Sequence, residues 1–182
     1  LSSSSAASDV YKRQAIHSTI TEKLLTPDEA SIIHAYKPSK KNRMLCSAGY
    51  EGRCIEEYIN LLIQHGIRML VDVRRNPISR KYGFSKTTLK KCTAGIGIQY
   101  CHMPELGIGS DKRKSLRSQT DYDLLFAEYE KTILNQNVQS VNKLVSLLTT
   151  YNRVALICYE KSPRQCHRTR IAKAVLHAID AV

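Results

Sequence analysis

The sequence predicts an α/β fold: a mainly parallel sheet of about four or more strands flanked by helices, a Rossmann-like or flavodoxin-like three-layer sandwich. Three observations carry this. From Met44 onward, short apolar runs alternate with helical segments, and such alternation implies βαβ units. The run Met69–Val73 is continuously apolar apart from Asp72, as strands covered on both faces are. A chain of 182 residues is one domain with at most a small appendage.

Residues 1–14 are nearly all small or polar and read as a non-native, adaptor-like segment, set aside from fold and function. Residues 15–43 read as an appendage. Within it, Thr26-Pro27-Asp28-Glu29 is a capping box with proline at the first helical position, predicting a short helix over 27–36, and KPSKKNR follows as a basic linker. A single α/β domain then spans 44–182.

Met44–Gly49 is the first strand. Ile55, Tyr58, Ile59, Leu62 and Ile63 recur at helical spacing and predict an amphipathic helix ended by Gly66. Met69–Val73 is the second strand. Ser85 is placed to cap a short helix over Lys86–Cys92, and Ile98–Met103 is the third strand. Residues 104–119 read as a long basic loop without structure of its own. Thr120 or Asp121 then caps a helix over 122–135, and a second helix covers 138–151. Val154–Tyr159 is the fourth strand, followed by a helix over 165–178.

Charge is the unusual bulk property. Lys and Arg number 28 against 16 Asp and Glu, a formal net of +12. Setting aside residues 1–14 removes only one net positive charge, because Lys12 and Arg13 outnumber Asp9 by one. Such an excess favours an anionic partner, namely nucleic acid, nucleotide or another phosphorylated molecule. A basic protein with no such partner is the plainer alternative. The six cysteines, at 46, 54, 92, 101, 158 and 166, include no C-x-x-C pair, and several sit in apolar runs. That usage fits reduced thiols in a cytoplasmic protein. No apolar stretch has the roughly 20 residues needed to cross a bilayer, and LSSSSAASDVYKRQ has no hydrophobic signal core, so no membrane partner is expected.

In an open parallel sheet, ligands sit beyond the carboxyl ends of the strands. Each predicted strand here leads into a chemically loaded segment: GYEGR (49–53), DVRRNPISRKYGFSK (72–86), HMPELGIGSDKRK (102–114) and CYEKSPRQCHRTR (158–170). The second carries Arg74, Arg75, Arg80, Lys81 and Lys86, with Tyr82 and Phe84 able to stack on a base. The arginine fork suits phosphate, and Ser79 adds a hydroxyl donor. Asp72 lies within a buried strand, where an unpaired carboxylate is costly. It either pairs with Arg74 or Arg168, or serves as a catalytic base or metal ligand.

The fourth segment is the richest. Cys158 and Cys166 lie between a strand end and a helix start, where the helix dipole favours thiolate. His167 adds a base, Arg168 an anion clamp and Glu160 an acid or base. Cys158 to Arg164 has the C-x5-R spacing of a cysteine-dependent phosphatase, but without a glycine in the loop and with Pro163 removing a donor. Alternatively, Cys158, Glu160, Cys166 and His167 are ligands for a divalent metal, or the two thiols are structural. Gly52 and Gly107 read as turns or points of close ligand approach, beside Tyr50 and Glu51. His102 reads as a satisfied histidine.

Taken in order, GYEGRCIEEYINLL, LVDVRRNPISRKYGFSKTTL, IQYCHMPELGIG and ALICYEKSPRQCHRTRIA resemble the family called domain of unknown function 488, over residues 44–178. The resemblance implies a bacterial or archaeal cytosolic protein. It implies characteristic positions at Gly49, Tyr50, Glu51, Asp72, Arg74, Pro77, Ser79, Phe84, Leu106, Gly107, Cys158, Glu160, Cys166, His167 and Arg168, and Arg164 is not among them. A looser likeness, to rhodanese-type domains, rests on a strand ending in Asp-Val-Arg and a later strand–Cys–loop–helix element.

Three functions compete on these residues. The first is an enzyme acting on a phosphate-bearing substrate, with Cys158, Cys166, Asp72, Glu160 and His167 as its reactive groups. Arg74, Arg75, Ser79, Arg80, Arg168, Tyr50, Glu51, Gly52 and Gly107 would then hold the anion. The second is a nucleic-acid-binding module without catalysis. The third is a sulfur-transfer or redox protein.

Overall fold

The structure, a computed structural model, describes residues 43–180 with the exception of Ser115. Segment 1–14, the helix expected over 27–36 and nearly all of the basic linker lie outside the described residues.

Four strands form one parallel sheet: β1 (Met44–Gly49), β2 (Met69–Asp72), β3 (Gln99–His102) and β4 (Arg153–Cys158), in the order β1-β4-β2-β3. The five α-helices among the described residues are α1 (Ile55–Gln64), α2 (Lys86–Gly95), α3 (Gln119–Tyr129), α4 (Val138–Tyr151) and α5 (Arg168–Asp180). Each strand directs alternate side chains to opposite faces, so the central strands feed two cores at once. Leu70, Ala155 and Ile157 pack with Ile59, Leu62 and Ile63 of α1 and Leu89 of α2. Met69, Val71, Val154 and Leu156 pack with Phe126, Leu144, Ile171 and Val175 of α3, α4 and α5. The sheet is therefore sandwiched between two helical layers, the α/β architecture the sequence predicts. No helix among the described residues is long and apolar enough to cross a membrane.

This topology fixes where a ligand can go. The chain leaves β2 toward the α1–α2 face and leaves β4 toward the opposite face, yet β2 and β4 are adjacent, with Asp72 level with Ile157. Their departing segments diverge and open a crevice beyond the strand ends, the topological switch point of a doubly wound sheet.

Several local expectations change. Helix α3 begins at Gln119, earlier than expected, because Ser118 rather than Thr120 or Asp121 is its cap. The Ser118 hydroxyl accepts the Asp121 N–H at 3.2 Å, and the Asp121 carboxylate accepts the Ser118 N–H at 2.8 Å, a reciprocal capping box. Beyond Tyr129 the helix widens into a π turn over Glu130–Leu134. The loop expected to be featureless carries two 3₁₀ turns, Pro104–Leu106 and Asp111–Arg113. Ser85 stands at the N-cap of α2 without a side-chain cap bond, because its hydroxyl instead latches the Ser79 backbone at 3.1 Å on both N–H and C=O. A last short turn, Pro163–Gln165, precedes α5, so that helix starts at Arg168 rather than 165.

Candidate active site at the switch point

Strand β4 ends on Cys158, and the chain returns through residues 159–167 to start α5, bringing Cys166 and His167 back beside it. The Cys158 and Cys166 sulfurs and a His167 ring nitrogen all lie within 4.8 Å of one another. His167 Nδ1 stands 3.9 Å from each sulfur. The other ring nitrogen, Nε2, is 3.1 Å from the carbonyl of Val73, just past β2. A carbonyl only accepts, so Nε2 carries the proton and Nδ1 is left as an acceptor. The Cys158 thiol donates to Glu160 Oε2 at 3.0 Å.

Two arginines bracket this cluster. Arg168, fully buried, donates Nε–H to Cys166 Sγ at 3.0 Å and Nη2–H to the Glu160 carbonyl at 2.5 Å. Its Nη1 is the one buried side-chain N or O without a hydrogen-bond partner among the described residues. Arg113 pairs with the Glu160 carboxylate and donates Nη2–H to His167 Nδ1 at 2.9 Å. Burial opposes charge on the Cys166 sulfur, but the Cys158 thiol, His167 and Arg168 outweigh it and hold Cys166 far below the usual thiol range. The hydrogen bond to Cys166, together with burial, pushes Cys158 up. Cys166 is thus the more acidic of the two sulfurs, and Cys158 keeps the proton it donates to Glu160.

Above the cluster lies a cleft of about 450 Å³, lined by Tyr50, Arg74, Arg75, Asn76, Ile78, Ile108, Gly109, Ser110, Asp111, Arg113, Cys158, Tyr159 and His167. Cys158, at 3% exposure, lies on its floor, while Cys166, at 0%, lies behind. Arg75 is exposed at the rim.

Other expected site residues prove to be braces. Asp72 Oδ1 accepts from Arg74 Nε at 2.8 Å and Arg74 N at 3.1 Å, and Oδ2 accepts from Tyr100 OH at 2.6 Å and Arg74 Nη2 at 2.5 Å. Arg74 spends its remaining fork on Tyr50 OH at 2.9 Å and the Phe84 carbonyl at 2.8 Å. Asp72 is therefore no accessible base and Arg74 no free anion clamp; the ion pair buried between them is the plainer of the two roles weighed for Asp72. Tyr50 stacks on Phe84 at 4.2 Å, which orients its hydroxyl toward Arg74. Glu51 accepts the Lys161 N–H at 2.8 Å, tying the β1 and β4 loops together. Ser79 accepts the Lys81 N–H at 3.2 Å within its own loop.

Gly52 turns the chain at φ +77°. Gly107 lets the third loop press on the second: a Cβ there would lie 2.2 Å from the Arg75 nitrogen. Gly52, Glu51, Ser79, Arg80, Gly107 and Arg168 do not line the cleft. Arg164 lines a separate depression with Gln119, Phe126 and Lys173, so the C-x5-R spacing assembles no phosphate cradle. His102 is satisfied by the Arg74 carbonyl at 3.0 Å and Lys86 Nζ at 3.1 Å.

Among the cleft residues that sequence reasoning passed over are Arg113 and Asn76. Arg113 belongs to the basic 112–117 run, but its partners lie 47 and 54 residues away, and only the folded chain reveals them.

A family model, Domain of unknown function DUF488, matches residues 54–175. The chain belongs to this DUF488 family. The matched range takes in Asp72, Arg74, Cys158, Glu160, Cys166, His167 and Arg168, and starts just after Gly49-Tyr50-Glu51. No curated protein matches the chain, and no solved structure does. The buried cluster and the Asp72–Arg74 brace fall within the matched range, and the match names no reaction.

Proposed function

We propose that this DUF488 protein is a cytoplasmic enzyme acting on a phosphate-bearing substrate, a nucleotide or nucleic acid, in the cleft at the switch point. The supporting observation is the cluster Cys158, Glu160, Cys166 and His167 at the base of a cleft walled by Arg75 and Arg113. Catalytic groups need matched environments, and buried sulfurs with divided protonation beside a carboxylate and a guanidinium are such an arrangement. In this reading Arg75, exposed at the rim, holds the phosphate by its fork, Arg113 adds positive charge from the wall while paired with Glu160, and Glu160, in contact with both Cys158 and Arg113, moves the proton. Arg168 and the Val73 carbonyl fix Cys166 and His167, and thereby position the centre.

The loop after β2 supports nucleic acid within that class. Tyr82 and Ile78 are 84% and 79% exposed on a loop that also carries Arg75, Arg80 and Lys81. An exposed ring among cations is a stacking platform for an unpaired base. The same surface favours a second reading, nucleic-acid binding without catalysis.

One experiment separates the two. Nucleotide mono- and diesters and short single-stranded DNA and RNA are offered to the protein, with product formation and salt-dependent binding measured together. Turnover that disappears in Glu160→Gln while binding persists supports the enzyme. Binding with a steep salt slope and no turnover of any substrate selects the binding module. Neither binding nor turnover rejects both.

A further inference from the structure

The donor set at the switch point has the dimensions of a metal centre. A tetrahedral zinc ion takes thiolate sulfur at about 2.3 Å and imidazole nitrogen at about 2.0–2.1 Å, which separates S and N ligands on one ion by about 3.6 Å. His167 Nδ1 stands 3.9 Å from Cys158 Sγ and 3.9 Å from Cys166 Sγ, and the three donors lie within 4.8 Å of one another, close to that spacing. The second shell is also in place. His167 Nε2–H is held by the Val73 carbonyl, the partner that fixes a metal-binding imidazole in the correct tautomer. Arg168 Nε–H reaches Cys166 Sγ, an N–H···S bond that steadies a thiolate ligand.

We infer that Cys158, Cys166 and His167 bind one thiophilic divalent cation, zinc by donor type, with its fourth position open to the cleft. Two sulfurs and one imidazole match the ligand set of catalytic rather than closed structural zinc, since three protein ligands leave a site for water or substrate. The open side is set by burial: Cys158 and His167 line the cleft and Cys166 lies behind them. Glu160 Oε2 lies 3.0 Å from Cys158 Sγ, so its carboxylate is adjacent to the donor set and would serve as a proton acceptor beside it. The cation takes the Nδ1 lone pair that Arg113 Nη2 contacts at 2.9 Å, and Arg113 keeps Glu160 as its partner. Two thiolates neutralise the ion and Glu160 offsets Arg113, so Arg75 at the rim is the cation left to attract phosphate. The use of the open position rests on the proposed function; the ligation stands on geometry alone.

The test titrates Zn²⁺ into reduced, chelator-stripped full-length protein against a chromophoric chelator, with Co²⁺ as a spectroscopic probe. One equivalent is expected, with a thiolate-to-cobalt charge-transfer band. Cys158→Ser and His167→Ala each weaken binding by ~100-fold or more, at or beyond the 10–100-fold cost of outer-shell changes, while Cys54→Ser does not. Circular dichroism checks that each variant is folded, and should Cys158→Ser fail to fold, His167→Ala decides. Absence of stoichiometric binding, or binding indifferent to both substitutions, overturns the inference. Loss of turnover in Glu160→Gln without any zinc binding removes the metal and leaves the enzyme, whereas zinc binding without turnover of any phosphate ester does the reverse.

Discussion

Arg168 donates to the sulfur of Cys166 at 3.0 Å with both residues fully buried. The same guanidinium holds the Glu160 carbonyl, so one side chain clamps both ends of the 160–166 loop. A buried charge stripped of its partner is costly, and Arg168→Ala removes the cation while leaving a buried thiolate. The expected loss is about 3–5 kcal/mol, read by urea denaturation. Arg168→Lys recovers little, because an ammonium has no fork to reach sulfur and carbonyl together.

Asp72 and Arg74 form the second internal clamp, at the end of β2. Asp72→Asn leaves a buried guanidinium without its anion and lowers stability by about 3–5 kcal/mol. The readout separates a brace from a catalytic base: a base lost from the cleft lowers turnover at unchanged stability, whereas here the midpoint of denaturation moves first. Unchanged stability in Asp72→Asn contradicts the brace.

Gly49 and Gly95 make a paired test of close packing. A Cβ on Gly49 would lie 2.1 Å from the Glu160 carbonyl oxygen and 2.9 Å from Arg168 Nη2, whereas one on Gly95 meets nothing within 4 Å. Gly49→Ala therefore strains the loop that carries the cluster, at roughly 1–3 kcal/mol. Gly95→Ala stabilises by about 0.4–1 kcal/mol through the unfolded chain. Thermal unfolding of the two variants should shift in opposite directions.

The capping box of α3 gives a pH signature. The backbone N–H groups of Arg117 and Ser118 and the Ser118 hydroxyl hold the Asp121 carboxyl below its ordinary value of 3.8. A lowered native value means the stabilisation is complete above the ordinary carboxylate range and is lost as pH falls through the native value. Asp121→Asn is thus less stable than wild type at neutral pH, and the gap closes in acid. Ser118→Ala costs about 1 kcal/mol at pH 7.

The strand ends were legible to within a residue because local signals mark them: β1 runs from Met44 to Gly49 as its apolar run dictates, and β4 ends on Cys158, one residue before the expected Tyr159. Convergence of the loops then follows from parallel topology alone. The cost of a carboxylate in β2 announced that Asp72 needs a partner, but sequence could not choose between Arg74 and Arg168, two residues and 96 residues away, both of which the fold buries. Arg113 was hidden for the opposite reason. It sits among other cations in a segment without periodicity, and its role comes from a contact made only when that segment folds over β4. The cap at Ser118 was readable as Ser-x-x-Asp, yet Thr120 and Asp121 offer the same residue types one turn later and drew the boundary inward.

The central claim is that the cluster beneath the cleft is a reactive centre. Side-by-side turnover of a responsive phosphate ester by wild type, Cys158→Ser and Cys54→Ser tests it most directly, with circular dichroism confirming that all three are folded. Loss of turnover in Cys158→Ser alone, with Cys54→Ser at the wild-type rate, is the predicted result. Equal rates in all three would contradict the account and return Cys158 to the role of a buried structural thiol.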